Sequence, residues 1–344
     1  MPELALLVLV IAAAIGFGVV NGFNDAANAV AASIGSRAIS PRNGIVLAVL
    51  CDFAGAATGT LVAITIGTKI LDSETLLSLP GLDAYLILIA AEAAVIVWGT
   101  IATRFGLPVS VSHSLVTGLA AAGAAVIGWE AVMWDMLERI GASVVIAPTL
   151  GFIGGFALMV VLLWVLRRGA PARMRVVFSR LQWLTTAFLA YSHGKNDGQM
   201  PIALITMVLM IFYRDDSLWE RLSLLDASTW WIIVVSALAI SLGTAIGGWR
   251  VIKTVGIKIT ALRPSHGFAS QASAATVIEV ASRLGIPVST THCATAATMG
   301  VGATRRLSAV RWGVTKNIVL AWVLTFPICA VLGWIMASLL KLAL

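Results

Sequence analysis

The chain of 344 residues is 59% hydrophobic and only 11% charged, with a net charge of +7 and a mean hydropathy of +0.97. Soluble domains carry about 25% charged residues, so this balance excludes one. It also excludes a nucleic-acid-binding patch, because the positive charge is divided among short loops between apolar runs. Those runs reach the roughly 20 residues that cross a bilayer, and strand-like alternation is absent, so the expected fold is an all-α integral membrane protein. Cys51, Cys293 and Cys329 lie in apolar segments without metal-ligand spacing and read as packing residues.

The first run, residues 4 to 20, follows only Pro2 and Glu3 and lacks a basic leader, so it reads as a retained helix. Arg37 and Arg42 follow it. Further basic clusters stand at 167 to 180 (five arginines), at Arg250, Lys253, Lys258 and Arg263, and at Arg305, Arg306, Arg311 and Lys316, with no acid within any of them. The intervening loops, 69 to 83, 128 to 140 and 214 to 227, hold ten acids against four basic residues. The positive-inside rule makes the basic set cytoplasmic. Residues 4 to 36, 141 to 166 and 228 to 249 then run inward, and 43 to 68, 183 to 213 and 313 to 340 run outward. Both termini are expected outside, in a multi-pass protein of the cell's inner (plasma) membrane. Residues 84 to 127 and 265 to 303 return to the side they leave and are broken by a Gly-x-Pro, which predicts two re-entrant helical hairpins and about 10 to 12 membrane segments in all.

The sequence repeats itself. "RFGLPVSVSHSLVTGLAAAG" (104 to 123) matches "RLGIPVSTTHCATAATMGVG" (283 to 302) at a constant offset, and "GFNDAANAV" (22 to 30) answers "HGKNDGQMP" (193 to 201). The first half starts outside and the second inside, which predicts an inverted-topology repeat: residues 1–166, a basic linker 167–182, and residues 183–344.

Charge inside a membrane is costly and needs a partner or a function. Asp25, Asp52 and Asp197 fall near the centre of the bilayer, Asp25 roughly 18 Å from Arg37 at about 1.5 Å per residue. The 4-to-36 run is too long for one straight span, so unwinding at Gly22 to Asn28 is expected to expose carbonyls beside Asn24, Asp25 and Asn28. With Asn196, Asp197, Asp52 and Gln271, such oxygens suit sodium, placed at Asp25 and Asp197. The turns "PVSVSHS" (108 to 114) and "PVSTTHC" (287 to 293) put Ser110, Ser112, Ser114, Ser289, Thr290 and Thr291 at helix N-termini, where N–H groups and the helix dipole favour a phosphate-like oxyanion. Asp25, Asn28, Asp197 and Gln199 are expected to complete that site. An oxyanion beside three carboxylates needs cations for company, so cotransport follows, with sodium or protons as the coupling ion. His113 and His292 are expected to fix the turns by hydrogen bonds. Glu279 and Arg283 are spaced for an ion pair, and Glu92 or Gln271 could face the cavity. Lys195 reads as a counter-ion or an anion contact, and Arg104 has no assigned role. The glycine pairs at 55 and 59 and at 151 and 155 read as close helix packing.

With these motifs in hand, the chain resembles the inorganic phosphate transporter family, on "GFNDAANAV", "SHGKNDGQ", "LPVSVSH", "GIPVSTTH" and "RRLSAVRWGV" (305 to 314). The resemblance implies phosphate held between the hairpin tips and the Asn-Asp motifs, a homodimer, and no enzymatic cofactor. It places Asp25, Asn28 and Asp197 at ion and substrate positions, and Ser110, Ser112, Ser289, Thr290 and Thr291 at phosphate contacts. Gln271, Asp52 and Lys195 depart from the family pattern, which leaves open proton coupling and sulfate as the anion. An intramembrane hydrolase using Ser112 and His292 would not explain why the whole arrangement is duplicated, and a midplane site with convergent carboxylates argues against a passive channel.

Overall fold

A computed structural model describes residues 2–79 and 81–343. Fourteen α-helices carry them, with no strand among the described residues beyond one isolated bridge between Leu71 and Val132. The helices are α1 (Pro2–Gly35), α2 (Pro41–Ala56), α3 (Leu61–Lys69), α4 (Ser73–Ser78), α5 (Asp83–Phe105), α6 (Val111–Val126) and α7 (Trp134–Val165). They continue as α8 (Pro171–Asp197), α9 (Gln199–Tyr213), α10 (Trp230–Ile246), α11 (Trp249–Lys253), α12 (Pro264–Arg283), α13 (Thr290–Ala303) and α14 (Trp312–Ala343).

Helices α1, α5, α7 and α14 are each long and apolar enough to cross a membrane. Two more spans arise if each bent pair counts as one: α2 with α3, bent by 63°, and α10 running into Trp249–Lys258, bent by 60°. The chain is thus an all-α membrane protein with broken helices, but one expected break is absent. Helix α1 passes through Gly22 to Asn28 without interruption. The alanines at 26, 27, 29, 31 and 32 favour helix there. Asn21, Asn24, Asp25 and Asn28 spend their side chains on other helices rather than on their own backbone. In the second half the interruption does occur, as the single residue Gly198 between α8 and α9. Helix α8 also begins at Pro171, so most of the basic segment 167 to 182 is helical rather than loop.

The packing is reciprocal. Helix α1 crosses α10 as α8 crosses α2; α5 lies on α1 as α12 lies on α8; and α14 supports α6 as α7 supports α13. Glycines permit the closest crossings: a Cβ at Gly22 would run into the backbone at Ile240, and one at Gly194 into the backbone at Asp52. Gly55, Gly151 and Gly155 likewise face partner backbone, as expected of close-packed pairs. Phe17, Tyr85, Leu115 and Met207 belong to the largest apolar core, and Val30, Val255, Met299 and Trp322 to a second one. The outer faces of α7 and α14 expose Ile153, Val160, Leu163, Val323, Val331 and Ile335, as helices bathed in lipid do.

Candidate functional site

Each hairpin turn is built twice from the same parts. Helix α5 ends at Phe105 and α12 at Arg283, and Gly106 and Gly285 follow in the left-handed region, with φ of 69° and 67°. Proline then holds the chain extended until a serine caps the next helix. Ser110 Oγ accepts from the His113 N–H at 3.2 Å, and Ser289 Oγ from the His292 N–H at 3.1 Å. The hydroxyl residues just inside each cap are therefore held at a helix N-terminus and buried.

From those tips the hydroxyls reach the two Asn-Asp motifs. Thr290 Oγ1 donates to Asp197 Oδ2 at 2.7 Å, Thr291 Oγ1 to Asp25 Oδ1 at 2.8 Å, and Ser112 Oγ to Asp197 Oδ1 at 3.4 Å. Asn28 Nδ2 donates to Thr291 Oγ1 at 2.9 Å and to Thr290 Oγ1 at 3.2 Å. Asn21 Nδ2 donates to the Asp197 carbonyl at 3.2 Å. Asp25, His193 and Asp197 each present a ligand atom within 4.8 Å of the others, all buried. Two full negative charges at that spacing repel by about 3 to 4 kcal/mol at an effective dielectric near 20, so the pair favours a cation and resists a lone anion.

His193 is the residue that motif spacing alone leaves unassigned. Its Nδ1 lies 2.9 Å from Asp52 Oδ1 and its Nε2 3.2 Å from Asp197 Oδ2. Thr244 Oγ1 donates to Asp52 Oδ2 at 2.6 Å. Asp52 thus meets the site through His193. The four-residue spacing from His193 to Asp197, one helical turn, is the signal in the sequence that marks it.

Other residues named from the sequence lie elsewhere. Asn24 Nδ2 donates to Thr103 Oγ1 on α5 at 2.6 Å, and Asn196 Nδ2 to Ser282 Oγ on α12 at 3.0 Å. Thr103 and Ser282 hold matching places just before Arg104 and Arg283, so the Asn of each motif ties down its own hairpin. With its amide turned over, Asn196 keeps Ser282 and also reaches Asp197 Oδ1 at 3.1 Å. Ser114 bonds back to the Ser110 carbonyl at 2.8 Å. Gln199 Oε1 accepts from the N–H groups of Val62 at 2.8 Å and Ala63 at 3.1 Å, which satisfies the first turn of α3. Gln271 joins a chain of buried amides, accepting from Gln182 Nε2 at 3.3 Å and donating to Thr186 Oγ1 at 2.9 Å and the Ala29 carbonyl at 3.0 Å. Lys195 Nζ and Arg283 Nε both hold Glu279 Oε1 at 2.7 Å, so Lys195 is a counter-ion. Glu92 is buried, and neither of its carboxylate oxygens has a hydrogen-bond partner among the described residues. Arg104 is exposed, and its carbonyl accepts from Arg250. The His113 and His292 rings do not bond the turns. They pack on each other with centroids 5.2 Å apart, His292 against Trp322 at 4.1 Å.

Duplicated hairpins whose hydroxyls meet duplicated carboxylates suit an anion accompanied by cations, and comparison with known proteins gives the family. Residues 21–333 match the phosphate transporter family. The chain belongs to that family. It is 36% identical over 98% of its length to a Bacillus subtilis protein named "Probable low-affinity inorganic phosphate transporter", with 98% of that protein covered. A Rhizobium meliloti protein of the same name is 37% identical over 95% of this chain and 94% of its own. A solved structure, "The sodium-dependent phosphate transporter", superposes with a TM-score of 0.87 at 28% identity, covering 99% of this chain and 100% of that one. The family and the fold are those of phosphate transporters, not of enzymes, which removes the Ser112 and His292 hydrolase.

Proposed function

We propose that the protein imports inorganic phosphate by cotransport with sodium, phosphate being received between the two hairpin tips while sodium is held at Asp25 and Asp197. The convergence of Ser112, Thr290 and Thr291 on the two aspartates carries this reading. With carboxylates bare, the hydroxyl protons point at them. Once a cation neutralises each carboxylate, the same O–H groups, with Asn28 and the N-terminal N–H groups of α6 and α13, are free to turn to phosphate oxygens. Cation and anion then favour each other's binding, which is the coupling that symport requires. The structural neighbour named as sodium-dependent supports sodium as the cation.

The reciprocal helix pairing and the matched hairpins support division into inverted repeats, residues 1–166 and 183–344 about the basic segment 167–182, that rock about the shared site. We place the basic loops in the cytoplasm and both termini outside, and expect a homodimer on the family resemblance. His193 favours a second reading. A neutral imidazole has one N–H, which Asp52 takes at 2.9 Å, whereas a protonated ring would also place positive charge 3.2 Å from Asp197, so a proton here could replace one sodium.

The test is linkage. Phosphate affinity of the purified protein should rise with sodium, and sodium affinity with phosphate by the same factor. In Asp25→Asn or Asp197→Asn that factor should fall at least tenfold, the equivalent of about 1.4 kcal/mol. Phosphate binding independent of sodium at every pH would remove the sodium reading, and a dependence on pH alone would select the proton.

A further inference from the structure

A cleft on the basic face lies apart from the transport site. It encloses about 630 Å³ where the end of α7, the start of α8 and the start of α12 meet. Its walls are apolar, including Leu162, Leu166, Phe178 and Leu262, and it is edged by Arg167, Arg175 and Arg263. These three arginines are exposed, and none takes part in an ion pair among the described residues. No carboxylate is near in sequence either, since residues 139–196 and 227–278 contain neither Asp nor Glu. Both helices that open at the cleft, α8 and α12, point their N-termini into it, and the Ala170 cap of α8 offers no side-chain acceptor to its first-turn N–H groups. Three arginines and two helix N-termini, that of α12 capped by His266 Nδ1, therefore border a space in which no ion pair is formed among the described residues.

The apolar walls say which anion fits. A small hydrated ion gains nothing from Leu162 or Phe178, whereas an amphiphile buries its chain against them and presents its phosphate to the arginines. The cleft also continues onto the outer face of α7, where Val160, Leu163 and Trp164 are exposed to the surroundings. The Arg167 guanidinium stands over the Trp164 ring, 5.4 Å from its centroid, a pairing suited to the depth where acyl chains give way to headgroups. We propose that this cleft binds an anionic phospholipid, with its phosphate among Arg167, Arg175 and Arg263 and an acyl chain laid along α7.

The test follows thermal unfolding of the delipidated full chain in neutral detergent as phosphatidylglycerol, phosphatidylcholine or inorganic phosphate is added. Phosphatidylglycerol should raise the melting temperature, and phosphatidylcholine should do so at least tenfold less effectively by concentration. The double variant Arg175→Gln, Arg263→Gln should lose at least tenfold in apparent affinity for phosphatidylglycerol while its response to inorganic phosphate stays that of the wild type. If the double variant folds poorly, Arg263→Gln alone carries the same comparison. An undiminished phosphatidylglycerol response in the variants, or equal stabilisation by phosphatidylcholine, would overturn the proposal. So would loss of the inorganic phosphate response instead, which would make the cleft a station for free phosphate. A spontaneous inter-chain disulfide in Arg175→Cys would do the same, by showing the cleft covered by a second copy.

Discussion

Helical phase decides which polar residues of the two motifs reach the site. Asn21, Asp25 and Asn28 are spaced by four and three along α1, so they form one stripe, and all three bond toward Asp197, Thr290 or Thr291. Asn24 is one residue out of phase and meets Thr103 instead. Gln199 lies beyond the break at Gly198 and caps α3. Gln199→Ala should therefore destabilise the protein by about 1 to 2 kcal/mol, the cost of stranding buried N–H groups, with the phosphate KM of the remaining folded protein unchanged. A raised KM at unchanged thermal stability would return Gln199 to the site. Asp25, Asp197, Thr290 and Thr291 were legible in the sequence because carboxylates and duplicated hydroxyl turns stand out in apolar runs. Asn21 was not, because expecting an unwound segment at the first motif hides the stripe that a continuous helix creates, and His193 on α8 was marked only by its four-residue spacing to Asp197.

At the scale of the element, the backbone contacts at Gly22 and Gly194 make the helix crossings intolerant of any side chain. Gly22→Ala and Gly194→Ala should each cost about 1 to 3 kcal/mol by overpacking, read as a lower melting temperature. Gly141→Ala and Gly313→Ala, where a Cβ meets nothing within 4 Å, should not lower it. The hairpins were readable from Gly-x-Pro followed by hydroxyls, since that chemistry is local. The bends at α2 and α3 and at α10 and α11 were not, because they fall at glycines, Gly59 and Gly247–Gly248 with φ of 70° at Gly247, rather than at a Gly-x-Pro. Outside the apolar spans, Asp72 caps α4, accepting from the Thr75 hydroxyl at 2.5 Å and its N–H at 2.7 Å, and these bonds hold its carboxyl below the usual carboxylate range. A lowered folded value means the cap is fully present above the unfolded value and is lost as pH falls through the folded one. Asp72→Ala should speed amide exchange in the first turn of α4 about fivefold near neutrality, for a cap worth about 1 kcal/mol. That difference should close in acid; one that persists there would point to lost packing instead.

Across the whole molecule, two halves of unequal sequence arrive at one site because each supplies an Asn-Asp motif and a hydroxyl-tipped hairpin, and each lays its helices against the other's. The duplicated hairpins and Asn-Asp motifs were legible from the repeated sequence words. The continuity of α1 and the extension of α8 to Pro171 were not, because hydropathy reports where a chain can sit in lipid and not how far its helix continues beyond it. In the proposed function coupled transport joins these parts, since an anion would reach buried aspartates only with cations beside it. Uptake of labelled phosphate by sealed proteoliposomes tests this most directly, comparing an imposed inward sodium gradient, an inward proton gradient and neither. The account predicts phosphate accumulation above equilibrium under the sodium gradient and its loss when that gradient is collapsed. Simple equilibration of phosphate under all three conditions would contradict it.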